Sequence, residues 1–213
     1  MAASLFIQLP ISLILALILS KGVKGDNFFR TIYFIPVVIS SMVIGQLWLK
    51  MFNSDYGVIN TVIRHFVPEY EHSWLTKNAF MTVLIPSVWQ YIGYHMIIFY
   101  AGIKSISTDY YEAAQIDGAS TWQEYLYVRI PYIKPVIIAN CLLVLNGSLR
   151  SFEFSYLLTH GGPGNASELM TTYKQAFSSM KYGYGSSVAI MIVIICMVVG
   201  MLFRKFTGGG DDE

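Results

Sequence analysis

Ser87, Gln90, Tyr91 and Tyr94 recur at spacings of three and four residues, so on a helix they share roughly one face. They offer hydroxyl and amide hydrogen bonds together with two phenol rings for stacking. A second polar group, Asn146, Ser148, Arg150, Ser151 and Glu153, interrupts an otherwise apolar run. Arg150 and Glu153 stand at i,i+3, close enough on a helix to pair. This is non-covalent chemistry, suited to a ligand with many hydroxyls and flat C–H faces. An ordinary helix–helix seam would use the same tyrosines, and a structural ion pair the same Arg150 and Glu153. Metal chemistry has no such support, because His65, His72, His95 and His160 lack ligand spacing. The phosphate-cradling run G-x-x-x-x-G-K-[ST] is missing. No catalytic residue and no cofactor of the chain's own is therefore expected.

The elements that must hold these residues are apolar. Hydrophobic residues are 54% of the 213, and charged residues only 13%, where a soluble domain carries about a quarter charged. The apolar residues form long blocks, and a membrane-crossing helix needs roughly 20 of them. Five blocks qualify, at 3–19, 31–50, 80–103, 136–158 and 187–203. The expected fold is all-α, a polytopic membrane helix bundle over 1–206 with a disordered tail, 207–213. The first block is a poor signal peptide, since no basic stretch precedes it and Pro10 interrupts it. Arg150 lies about 20 Å into its block by helical rise, well inside a core about 30 Å thick. Facing lipid there costs at least about 2–3 kcal/mol, so it should face the bundle interior. Cys141 and Cys196 both lie inside apolar blocks and read as small hydrophobes. A formal net charge of +1 gives no field for nucleic acid.

Orientation follows from basic residues in the short loops. Lys21, Lys24, Arg30, Lys104, Arg129, Lys134, Arg204 and Lys205 fall on one side of an alternating five-span chain. Arg64, Lys77, Lys174 and Lys181 fall on the other. Eight against four puts the C-terminus in the cytoplasm. The N-terminus is then outside, and a further span ahead of residue 3 would resolve that awkward start.

The stretch 107–135 is long and polar between two spans. Asp109 with Glu112, and Thr121 with Glu124, have the spacing of two helix starts. Asp117-Gly118 breaks them, Pro131 ends the second, and Pro135 opens the next span. Two short helices joined at a glycine elbow are predicted. Ala113, Ala114 and Ala119 would let another surface approach closely, whether the groove of a soluble partner or the lipid surface.

Glu112-Ala-Ala-Gln-Ile-Asp-Gly-Ala119, with Ile130-Pro131 and Pro135 behind it, resembles the EAA loop of ABC importer permeases. Asn27-Phe-Phe-Arg-Thr-Ile-Tyr-Phe-Ile-Pro36, Trp48 to Tyr56-Gly57, and Leu157-Leu-Thr-His-Gly-Gly-Pro-Gly164 resemble the maltose-type permeases. The likeness runs from about residue 3 to 206, and such permeases usually carry at least one span before this point. It implies that Tyr111, Glu112, Ala113, Ala114, Asp117, Gly118 and Ala119 form a coupling helix for a separate ATPase dimer, which binds the ATP and magnesium. It further implies a second permease subunit, an extracytoplasmic sugar-binding protein, a sugar substrate and a prokaryotic plasma membrane. Sugar contacts are then expected near Ser87, Gln90, Tyr91, Tyr94, Ser148 and Ser151. Side-chain departures from the maltose pattern leave room for another sugar. Another small solute as cargo, or a non-transporting membrane scaffold, are the rival readings of the residues.

Overall fold

The computed structural model describes residues 3–149, 152–159, 174, 176 and 179–207. Among them every regular element is helical. The helices are α1 (Ser4–Ser20), α2 (Asp26–Val38), α3 (Ser41–Met51), α4 (Val58–Phe66), α5 (Trp74–Lys77) and α6 (Ala79–Lys104). After them come α7 (Thr108–Ile116), α8 (Thr121–Tyr132), α9 (Lys134–Leu149), α10 (Glu153–Thr159) and α11 (Tyr182–Phe206).

The apolar blocks of the sequence are helical, but two are not single rods. The block 31–50 is split into α2 and α3 by a break at Ile39 and Ser40. Pro36 lies two residues from the end of α2, where it withholds an amide from the ladder. The Met42 amide then donates to Ser40 Oγ (3.3 Å), which restarts the chain as α3. The block 136–158 is likewise carried by α9 and then α10. Its ion-pair candidate Arg150, and Ser151, lie outside the described residues, as do 208–213 of the tail. By length and composition Tyr182–Lys205 is long and apolar enough to cross a membrane, and only 6% of its most apolar 18-residue stretch is buried. A helix apolar all round and exposed all round belongs in lipid or against another helix.

Two compact units divide the chain. The first joins Met1–Val38 to Gln90–Leu145. Its core is Ala16 and Leu19 of α1, Met96, Phe99 and Ile103 of α6, and Ile106 and Ile133 at the two ends of the elbow. The second joins Ile39–Trp89 to Asn146–Glu213. Its core is Ile44 of α3, Val83 of α6, and Phe154 and Leu158 of α10, lined by Trp48 and Leu75.

Two π-turns, Ser4–Gln8 in α1 and Tyr125–Arg129 in α8, each stand two residues before a proline, Pro10 and Pro131. A proline ring crowds the carbonyl four residues back. Widening the turn relieves that crowding, and the Leu9 and Ile130 amides reach back five residues to the Ser4 and Tyr125 carbonyls.

Candidate functional site

The elbow forms as two helices, with both starts shifted from the expected residues. Ser107, not Asp109, caps α7, its Oγ accepting from the Asp109 amide. Ser120, not Thr121, caps α8 in a reciprocal box with Gln123. A serine hydroxyl just ahead of each helix reaches the orphan amides better than an aspartate or threonine already inside the first turn.

The α7 helix ends where its glycine dictates. Gly118 has φ +73°, the left-handed conformation glycine reaches without strain. The Gly118 amide donates to the Gln115 carbonyl (3.0 Å) and the Ala119 amide to the Ala114 carbonyl (2.9 Å). These two bonds satisfy the last carbonyls of α7 and turn the chain into α8. Glu112, Ala113, Asp117 and Gly118 are exposed, while Tyr111, Ala114 and Ala119 are half-buried. Ile116 is 86% exposed and Tyr127 77% exposed. A shallow groove lined by Ala114, Asp117, Gly118, Ala119, Gln123 and Tyr127 runs beside them. The elbow thus presents small and apolar groups outward, with nothing of its own to cover them.

Its root is fixed by Arg129. The guanidinium donates through Nε (2.7 Å) and Nη2 to Glu124 Oε1, and through Nη1 to Ser20 Oγ at the end of α1 (2.8 Å). It lies over the rings of Tyr111 (4.7 Å) and Tyr125 (5.0 Å). Tyr111 donates its hydroxyl to the Ile103 carbonyl in the last turn of α6 (3.2 Å). Burial pushes the Tyr111 phenol above its ordinary pKa, against the pull of Arg129. At neutral pH the phenol keeps the proton it donates. Nothing in the linear sequence ties Ser20 to Arg129. Glu124 and Arg129 stand at i,i+5, a spacing that does not face on an α-helix. The only sequence signal was Pro131, which calls for the wider turn.

The second candidate group lies on α6. Ser87 is half-buried and donates to the Val83 carbonyl (2.7 Å). Gln90 is 2% exposed and its Nε2 donates to the Pro36 carbonyl (3.4 Å). That carbonyl sits in the last turn of α2, past the reach of an intrahelical donor. Tyr91 is exposed and Tyr94 half-buried. The Tyr94 ring meets the ring of His95 edge-on at 5.1 Å. His95, buried, bonds through Nδ1 to Asn140 Oδ1 of α9 (2.6 Å), while Asn140 Nδ2 donates to the Val136 carbonyl (3.0 Å). Asn140 therefore presents an acceptor, and the His95 proton sits on Nδ1. Of the second polar group, Ser148 is half-buried near the end of α9, and Glu153 is exposed in the first turn of α10. Ser87, Ser148 and Glu153 belong to one compact unit, and Gln90, Tyr91 and Tyr94 to the other.

Known proteins resemble this arrangement across its length. A family described as binding-protein-dependent transport system inner membrane component matches residues 8–207. A probable ABC transporter permease of Pyrococcus horikoshii is 34% identical over 211 residues, covering 97% of this chain and 72% of its own. The arabinooligosaccharides transport system permease of Bacillus subtilis is 31% identical, covering 99% of this chain and 69% of its own. A crystal structure of a bacterial alginate ABC transporter, in complex with an alginate pentasaccharide-bound periplasmic protein, superposes with a TM-score of 0.86 at 25% identity, over 97% of this chain and 74% of that one. With a helical fold, an EAA-type elbow and this match over nearly the whole chain, the protein belongs to the inner-membrane permease family of binding-protein-dependent ABC transporters.

Proposed function

We propose that the chain is one of two permease subunits of an ATP-driven sugar importer, and that α7 is its contact with the ATPase. The observation that carries this reading is the elbow. Its first helix is closed by a left-handed glycine, exposed at Glu112, Ala113 and Ile116, and tied at its root to the ends of α1 and α6. The sugar preference is supported by the arabinooligosaccharide and alginate relatives.

In this reading Glu112, Ala113, Ala114, Asp117, Gly118 and Ala119 seat in the ATPase, and Tyr111 roots the helix. The bias of basic residues places the elbow and the C-terminus in the cytoplasm. A binding protein delivers sugar on the opposite side. ATP binding closes the ATPase dimer, and the paired permeases rock between outward- and inward-facing states. Hydrolysis belongs to the partner, and this subunit supplies no catalytic group. Ser87, Gln90, Tyr91, Tyr94, Ser148, Arg150, Ser151 and Glu153 are the pathway candidates. Tyr91 and Tyr94 offer the rings, while Gln90 acts from behind by holding the end of α2.

The decisive experiment uses the complex reconstituted in proteoliposomes with ATPase, second permease and binding protein. Arabino-oligosaccharides, alginate oligosaccharides and maltose are offered as substrates. Gly118→Trp, which forces a bulky side chain into a left-handed position, should lower uptake and sugar-stimulated hydrolysis at least tenfold. Full activity in that variant would remove the elbow as the coupling element. In the same assay Tyr94→Ala should lower uptake at least fivefold with the complex still assembled, and unchanged uptake takes Tyr94 off the pathway.

A further inference from the structure

The elbow carries a residue whose contacts exceed what a cap or a surface ion pair needs. Arg129 is the last residue of the π-turn in α8. The widened turn brings its guanidinium back over Glu124, five residues earlier, which an α-turn would leave out of reach. The guanidinium also reaches Ser20, 109 residues away in sequence, and lies over the Tyr111 ring of α7. Tyr111 passes the connection on to the Ile103 carbonyl of α6. Ser20 has its own hydrogen spoken for, donating to the Leu17 carbonyl (2.8 Å), and so is free to accept from Arg129.

From this geometry we infer that Arg129 is a positioning residue, a clasp that makes α7 move as one body with the ends of α1 and α6. The inference rests on the reading of α7 as the ATPase contact. Without Arg129 the elbow stays attached through Ile106 and Ile133, both buried in the core. Those contacts are apolar and non-directional, and the one remaining Tyr111–Ile103 bond is a pivot, so together they hold the elbow near the spans without fixing its rotation. The planar fork does fix it, because it must meet Glu124 and Ser20 at once while its carbon sits over the Tyr111 ring. A push on α7 is then delivered to the spans rather than lost in a turn of the elbow about its apolar anchors.

The clasp is tested by counting sugar imported per ATP hydrolysed, per assembled complex, in the reconstituted importer. The probe is whichever of arabino-oligosaccharide, alginate oligosaccharide or maltose the wild type imports fastest. Arg129→Ala should lower the ratio at least fivefold while hydrolysis continues. Arg129→Lys keeps the charge but cannot make the fork, so it should assemble like wild type and still lose at least threefold. Glu124→Gln, which keeps an acceptor for the guanidinium, should stay within twofold. The clasp is overturned if Arg129→Ala keeps the wild-type ratio, or if Arg129→Lys restores it fully, since charge alone would then suffice. Should Arg129→Ala fail to assemble, the lysine variant decides. Gly118→Trp separates the two ideas. If it lowers uptake and sugar-stimulated hydrolysis together while Arg129→Lys keeps the wild-type ratio, only the clasp fails. If Gly118→Trp instead keeps full uptake and full stimulated hydrolysis, the elbow reading fails and the clasp with it.

Discussion

The segments 53–78 and 107–135 are of similar length, and each links long helices, yet they are built on opposite plans. In the first, the polar side chains are spent on the segment itself. Asn60 is fully buried, and its Nδ2 donates to the carbonyls of Ser54 (3.0 Å) and His72 (2.8 Å). Its Oδ1 accepts from the Trp74 indole (2.7 Å). Arg64 donates to three carbonyls, that of Ser54, shared with Asn60, and those of Asp55 and Tyr70. Phe52 is sealed between Trp48 and Trp74. In the elbow only the root is tied, through Arg129 and Tyr111, and the tip is left open. The two glycines follow suit. A Cβ on Gly57 would sit 2.3 Å from the Asn53 carbonyl oxygen, so space forbids it. A Cβ on Gly118 would meet nothing, and only the positive φ asks for glycine. One segment is a self-sufficient brace and the other a handle awaiting a partner. Stability and coupling should therefore respond to mutation in different places.

The brace gives the larger expected effect. Asn60→Ala strands the Trp74 indole N–H and the His72 carbonyl, and leaves the Ser54 carbonyl to Arg64 alone. Each unmet group costs about 1–3 kcal/mol, and partial relaxation should leave a net loss of about 2–4 kcal/mol. The melting temperature of the purified complex in detergent should fall clearly. The ratio of sugar imported to ATP hydrolysed by the surviving complexes should not. A variant that melts normally but uncouples would break the division between brace and handle.

Much of this was legible in the sequence, but unevenly. The helical membrane class followed from apolar blocks, and the elbow from Asp117-Gly118 and the two prolines, because these signals are local. The break between α2 and α3 was not foreseen. Apolar content runs straight through Ile39 and Ser40, and hydropathy does not register a capping serine. Asn60, Asn140 and Ser20 were invisible as structural keys for a different reason. Each bonds to a partner set by tertiary packing, such as His95 for Asn140, and no spacing rule reaches that far. Gln90 shows the cost of reading one face of a helix alone. Its periodicity suits a ligand surface, while its depth and its bond to the Pro36 carbonyl suit a helix end that needed a donor.

The smallest effect expected is at the handle, and its smallness is the point. Ser120 donates its amide to Gln123 Oε1 (2.7 Å), and its Oγ accepts from the Gln123 amide (3.4 Å). Both residues are exposed, so water can replace either bond. Ser120→Ala should cost about 1 kcal/mol, the ordinary worth of a helix cap, and Ser120→Asp should recover most of it. Thermal melting checks the first statement, and the aspartate variant separates capping from mere loss of a side chain. Coupling should fall less than twofold, because Arg129 and the buried Ile133, not the cap, fix where α8 sits. A loss of coupling as large as that of Arg129→Ala, with melting unchanged, would move the transmitting element from the root of the elbow to its bend.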